Sequence, residues 1–166
     1  HKVLAVVGSH GKTTTAAMLA WLLRKADFPC GYLVGGLFRD PSTPPGAHSD
    51  SPWVVIEVDE SDGTIDGFSP TATLCLNCDW DHTTQYSSQR GFRDTLGGLF
   101  SRTKNAIIIP EDNDLEDLAQ ASASCSTITY ENSSDPGAYN ASNAAAALAA
   151  FRYLGLDPSL ADLADF

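Results

Sequence analysis

The sequence predicts an α/β fold, a mostly parallel, doubly wound sheet in three layers (α/β/α), and three observations predict it. Short apolar, β-branched runs alternate along the chain with segments of helical periodicity. Strands that alternate with helices are joined by right-handed crossovers and settle into parallel sheets with helices on both faces. The first of these strands, Val3 to Val7, runs directly into a glycine turn and then a helix, the unit from which such sheets are wound. Finally, 166 residues with no internal repeat and no low-complexity segment make one domain of ordinary size. A chain of that length buries about two-thirds of its unfolded surface.

The elements follow in order. Val3 to Val7 has the unbroken apolar character of a strand buried on both faces. A helix is expected from Thr13 to Lys25; Ala16 to Leu23 is apolar on every side, which places it between layers. Arg24 and Lys25 close it, where cations suit the helix dipole. Cys30 to Val34 reads as a second strand ended by Gly35-Gly36, and Phe38 to Ser51, with Pro41 and the pair Pro44-Pro45, as an exposed loop. Trp53 to Val58 and Thr73 to Leu76 are the next strands. From Ser88 to Arg102, Phe92, Leu96, Leu99 and Phe100 recur at the spacing of an amphipathic helix. Gly97-Gly98 within it costs helix stability and marks close packing against a neighbour. Ala106 to Ile109 is a strand closed by Pro110, Asn113 to Gln120 a short helix, and Cys125 to Tyr130 another strand. After the polar turn Asn132 to Gly137 an alanine-rich helix is expected from Asn140 to Leu154, stopped by Gly155, with a last short helix started by Pro158.

Composition narrows the functions open to this chain. A net charge of −11 argues against sequence-independent nucleic-acid binding and against an anionic membrane surface, both of which need a basic face. The apolar run Ala144 to Phe151 is far too short to cross a bilayer, and no secretory signal is expected at the N-terminus. The chain opens on His1 directly ahead of a core strand, and a piece of a longer protein is expected. Four cysteines in a chain this long make no disulfide framework; Cys75 and Cys78 have C-x-x-C spacing without a second metal-binding pair, so reduced, structural cysteines in a cytoplasmic protein are expected.

The chemistry gathers around Gly8-Ser-His-Gly-Lys-Thr-Thr-Thr15. Gly8 and Gly11 let the backbone turn sharply and approach a ligand closely. The helix that comes next turns its positive dipole end towards them, Lys12 adds a full charge, and the Thr13 hydroxyl can ligate magnesium. This is a phosphate loop for a polyphosphate, shortened relative to the full signature, which has a glycine where Val6 stands. The strand before and the helix after weigh against an ordinary glycine turn. The strand ending Ile56-Glu57-Val58-Asp59-Glu60 brings acids to the same sheet edge, where nucleotide-binding proteins hold their magnesium. Glu57, flanked by Ile56 and Val58, is the candidate ligand; the acids of Asp59-Glu-Ser-Asp62 read equally well as a solvated turn. His82, after the strand Thr73 to Leu76, brings an imidazole to that edge, as a metal ligand or as a solvated loop side chain. Residues and spacing alone reach ATP, metal and phosphoryl transfer.

Gly8-Ser-His-Gly-Lys-Thr-Thr-Thr15, Glu57-Val-Asp-Glu-Ser-Asp-Gly63, Asn77 with Asp81-His82 and Tyr86, and Asn140-Ala-Ser-Asn143 together resemble the ATP-binding central domain of the Mur ligases. The likeness runs from about Lys2 to Asp157, with four motifs in the family's order. It implies ATP and Mg2+ as cofactors. Gly8, Ser9, His10, Gly11, Lys12, Thr13 and Thr14 would hold the phosphates, and Asn140 and Asn143, on one helix face, would lie near the adenine. Lys12 would contact the β- and γ-phosphates, Thr13 and Glu57 a first magnesium, and Glu57 and His82 a second, so that Lys12, Glu57 and His82 carry the catalysis. Capping of the helix by Asn140 is the alternative for that residue. It further implies flanking N-terminal UDP-binding and C-terminal ligase domains absent from this chain, and a role in peptidoglycan precursor synthesis. The acidic run is most similar to the member that joins L-alanine to UDP-N-acetylmuramate; Trp80 before Asp81-His82 is closer to a tripeptide-recycling relative. Tyr139 stands where the family usually has His, and Thr84 where it often has Asp. Outside the family, another phosphate-loop kinase or GTPase and a nucleotide-binding module without catalysis remain open.

Overall fold

Alternation along each strand decides which helix covers which face. In the computed structural model, residues 1–59, 63–79, 88–133, 139–163 and 166 are described. Strands β1 (Lys2–Val7), β2 (Gly31–Leu33), β3 (Gly46–Ala47), β4 (Trp53–Glu57), β5 (Ala72–Cys75), β6 (Ala106–Pro110) and β7 (Ser126–Tyr130) form a sheet in the order β3-β2-β4-β1-β5-β6-β7. Every pairing is parallel except β2 with β3. Helices α1 (Lys12–Lys25), α2 (Gln89–Arg102), α3 (Asn113–Ser122) and α4 (Tyr139–Tyr153) complete the wound α/β/α architecture expected from the sequence.

Successive residues of a strand point to opposite faces. Leu4 and Val6 of β1, Ala72 and Leu74 of β5, and Ile108 of β6 therefore join one buried cluster with α1 and α4. Ala5 and Val7, Cys75, and Ile107 and Ile109 join a second with Phe92, Leu96, Leu99 and Phe100 of α2 and Leu115 and Ala119 of α3. Helix α1 buries Ala16, Met18, Leu19, Ala20, Leu22 and Leu23, as an all-apolar helix between layers must. The Ser88 hydroxyl accepts from the Gly91 amide at 3.1 Å and starts α2; the Asp112 carboxylate accepts from Leu115 at 3.0 Å and starts α3. A Cβ on buried Gly97 would stand 2.9 Å from Ser122 Oγ, so this glycine lets α2 lie directly on α3. Gly155, with φ +85°, ends α4.

Three local expectations are corrected. The loop Phe38 to Ser51 is not all exposed. It contributes β3, because the Val34 amide bonds the Pro45 carbonyl at 2.9 Å and Tyr32 reaches that of Pro44 at 3.2 Å, and it buries Thr43 under Arg24, whose Nη1 donates to the Thr43 hydroxyl at 2.9 Å. A 3-10 turn at Thr64–Gly67, unforeseen in the sequence, buries Ile65 beneath α2. Helix α4 starts at Tyr139, so Asn140 lies inside its first turn rather than at its cap.

Candidate functional site

β1 lies between β4 and β5, so the turn beyond its carboxyl end sits at the switch point of the sheet, where wound α/β folds hold ligands. The chain leaves β1 through Gly8 at φ +134° and enters α1 through Gly11 at φ +79°, backbone conformations that favour glycine. Crowding adds to the requirement: a Cβ on Gly8 would lie 3.2 Å from both the amide and the carbonyl of Asn77, and one on Gly11 only 2.2 Å from Asn143 Oδ1. The loop is pinned from the β5 side. Asn77 accepts from the His10 amide at 3.0 Å and donates to the His10 carbonyl at 3.1 Å, while the Ser9 hydroxyl donates to the Asp79 carbonyl.

Lys12 Nζ folds back over the loop and donates to the Gly8 carbonyl at 2.8 Å. One residue on, the Thr13 hydroxyl donates to Glu57 Oε1 at 2.6 Å, joining the first turn of α1 to the end of β4. The other oxygen, Oε2, accepts from the Gly35 amide at 2.6 Å. Glu57 reaches this position because Val55 and Glu57 share the α1 side of the sheet while Ile56 and Val58 pack towards α2. Thr13 and Glu57 thus form a pair of hard oxygen donors, and magnesium is bound by one or two carboxylates with substrate phosphates and waters in its other positions. The residues present fit that ion. Among the described residues, no cluster of three or more His, Cys, Asp or Glu is placed to hold a metal.

On the α4 side, the buried Thr15 hydroxyl donates to Asn143 Oδ1 at 3.2 Å, so Asn143 presses on the phosphate loop as well as facing outward. Exposed Asn140 stands with Asn143, His10, Gly11, Thr14 and Asn77 around a cleft of about 680 Å³. Burial pushes the phenol of Tyr130, which also lines this cleft, well above the ordinary tyrosine range. The four cysteines are free thiols; burial raises Cys78, with Arg93 opposing, and raises Cys30 to about 11.

Lys12, Thr13, Glu57 and the loop Gly8 to Thr14 are therefore brought together, with Asn140 and Asn143 beside them. His82, Trp80, Thr84, Asp81 and Tyr86 lie outside the described residues, as do Glu60 to Asp62. Three contributors went unassigned in the sequence: Gly35 and Gly36, taken only as a strand stop, and Asn77 as the clasp of the loop. The signal for the first two was their position at the end of a parallel strand, on the same edge as the phosphate loop.

Comparison with known proteins gives one family model and a set of relatives. The model of the Mur ligase middle domain matches residues 6–136. The UDP-N-acetylmuramate–L-alanine ligase of Bifidobacterium longum (strain DJO10A) is 32% identical over 115 residues, which cover 68% of this chain and 22% of that protein. This chain thus matches well under half the length of that relative. Among solved structures, the UDP-N-acetylmuramate:L-alanyl-γ-D-glutamyl-meso-diaminopimelate ligase of Neisseria meningitides superposes with a TM-score of 0.80 at 24% identity, covering 97% of this chain and 64% of the other. The MurF ligase of Thermotoga maritima, solved in complex with ADP, superposes at 0.73 with 20% identity, covering 98% and 48%.

Proposed function

This chain belongs to the Mur ligase family, and from that premise we propose that it is the central ATP-binding domain of an ATP-dependent carbon–nitrogen ligase of peptidoglycan precursor synthesis. The whole protein, working in the cytoplasm, activates the carboxylate of UDP-N-acetylmuramate. A carboxylate oxygen attacks the γ-phosphorus of ATP, the bond to the β-phosphate oxygen breaks, and ADP leaves. The amine of L-alanine then attacks the acyl carbon; phosphate leaves with the bridging oxygen, and the amine gives up a proton as the amide forms. The obstacle in the first step is that nucleophile and acceptor are both anionic.

The observation that carries this reading is the 2.6 Å contact between the Thr13 hydroxyl and the Glu57 carboxylate, beside Lys12 at the end of β1. Lys12 holds the β- and γ-phosphates and offsets their charge. The loop Gly8 to Thr14 cradles the phosphates, and α1 aims its positive end at them. Thr13 and Glu57 would hold a first magnesium, and Glu57 and His82 a second, where the metal would supply neutralisation of phosphate charge. Asn140 and Asn143 flank the adenine. An N-terminal domain for the uridine diphosphate and a C-terminal domain closing over ATP belong to the rest of the protein, so this domain by itself binds Mg-ATP weakly and makes no amide.

The test has two arms. Calorimetry of this domain should give ATP binding that tightens with magnesium; Glu57→Gln, which touches both metal positions, should lose most of that tightening, and His82→Ala, which touches one, only part of it. The full-length protein, supplied with UDP-N-acetylmuramate and ATP, should release ADP and phosphate when L-alanine is added. Release with the tripeptide L-alanyl-γ-D-glutamyl-meso-diaminopimelate instead would reassign the acceptor, and absence of ATP binding would overturn the proposal.

A further inference from the structure

Two adjacent glycines stand over the candidate metal site, each where a side chain of that site would meet a Cβ. Gly35 donates its amide to Glu57 Oε2 at 2.6 Å, and a Cβ on Gly35 would lie 2.9 Å from that same oxygen. Its neighbour Gly36 faces the other donor: a Cβ there would lie 2.7 Å from Thr13 Cγ2. Neither glycine has the positive φ that would by itself demand glycine; among the described residues the positive-φ glycines are Gly8, Gly11, Gly63 and Gly155. What a side chain at 35 or 36 would meet is therefore not the strand ending but Glu57 and Thr13, the two oxygen donors of the candidate site.

We propose that Gly35-Gly36 is a positioning element of the magnesium site: the Gly35 amide holds one oxygen of Glu57 so that only the other faces Thr13, and Gly36 leaves room for the Thr13 side chain to aim its hydroxyl there. This rests on the ATP- and magnesium-binding reading above and extends it to residues outside the phosphate loop and the acidic strand. With Oε2 bonded to the Gly35 amide and Oε1 facing the Thr13 hydroxyl, Glu57 would offer a metal one oxygen, beside that of Thr13. In Gly35→Ala the atom met by the new methyl is the far end of a flexible side chain, so the carboxylate yields and the fold stays. Gly36→Ala drives instead against the Thr13 methyl, and Thr13→Ser removes that methyl while keeping the hydroxyl.

The experiment is calorimetric titration of the domain with ATP, once with magnesium chloride and once with EDTA, the fold of each variant being checked by circular dichroism. The wild type should bind more tightly with magnesium. Gly35→Ala and Gly36→Ala should each lose about tenfold of that tightening, with EDTA affinities within about twofold of wild type. Adding Thr13→Ser to Gly36→Ala should restore most of the loss. Should Gly35→Ala fail to fold, the Gly36→Ala and Gly36→Ala/Thr13→Ser pair decides. Unchanged magnesium dependence in the glycine variants, or no restoration in the double variant, overturns the positioning role alone. A wild type without any magnesium-dependent tightening overturns the ATP and magnesium reading as well.

Discussion

The half of the sheet around β1 and the half around β6 are wound from the same strand-helix unit, yet they are held together differently. Around β6, the work is packing: Ile107 and Ile109 lie under Phe92, Leu96, Leu99, Phe100 and Leu115, all buried. Its side-chain hydrogen bonds are scattered around that packing, from the caps by Ser88 and Asp112 to Arg102, which donates to the Ile65 and Phe68 carbonyls. At the carboxyl end of β1, by contrast, polar side chains from separate segments converge on one turn: Asn77 to His10, Ser9 to Asp79, Thr13 to Glu57, Thr15 to Asn143. Each such bond contributes only about 1 kcal/mol net, but it has a direction, which apolar contact lacks. A sheet edge that must present oxygens and amides to a ligand is organised by the directional force, and the remainder of the domain supplies the stability.

Truncation on the packed side should have the largest effect and leave the site alone. Phe100→Ala is expected to cost about 3–5 kcal/mol of unfolding free energy in urea titration, with the ATP dissociation constant of the folded protein unchanged; a weakened ATP affinity would break the separation of the two halves. Lys12→Met is the mirror image. It removes a charge-assisted contact, so Mg-ATP binding should weaken about 10- to 100-fold while the urea midpoint stays near wild type. Asn77→Ala sharpens the comparison because it touches both properties. Losing both bonds to His10 should cost about 1–3 kcal/mol and loosen ATP binding; lower stability with unaltered affinity would reduce the clasp to ordinary structural support. The smallest effect belongs to neither half. Asp40, on the β2–β3 loop, accepts from the Ser42 hydroxyl and amide, which hold its carboxyl below the ordinary range. A folded-state pKa depressed in this way adds stability above the unfolded value, lost as pH falls through the folded one. Asp40→Asn should therefore slightly flatten the acid side of the stability profile below about pH 4, measured by thermal melting.

Much of this was legible in the chain because it is written in local periodicity. Val3 to Val7, Trp53 to Val58 and Ala106 to Ile109 announce buried strands, Phe92 to Phe100 an amphipathic helix, and Gly8 to Thr13 a phosphate loop, since each pattern lies within a dozen residues. Glu57 was legible as a candidate because its place at a strand end between Ile56 and Val58 sets its face by alternation. The short strand β3 escaped because its pairing depends on Pro44 and Pro45 carbonyls meeting β2, which no property of Gly46 and Ala47 announces.

By itself, then, the sequence determined the alternation of strands and helices, the loop that turns on Gly8 and Gly11, and the residue types able to meet a phosphate and a metal. Only the tertiary structure decided that Gly35 bonds Glu57, that Gly36 accommodates Thr13, and that Asn77 clasps His10. The physical reason is that propensity and periodicity act between neighbours in the chain. A hydrogen bond between residues 22 or 67 positions apart exists only once strand order and register have brought the two strand ends together.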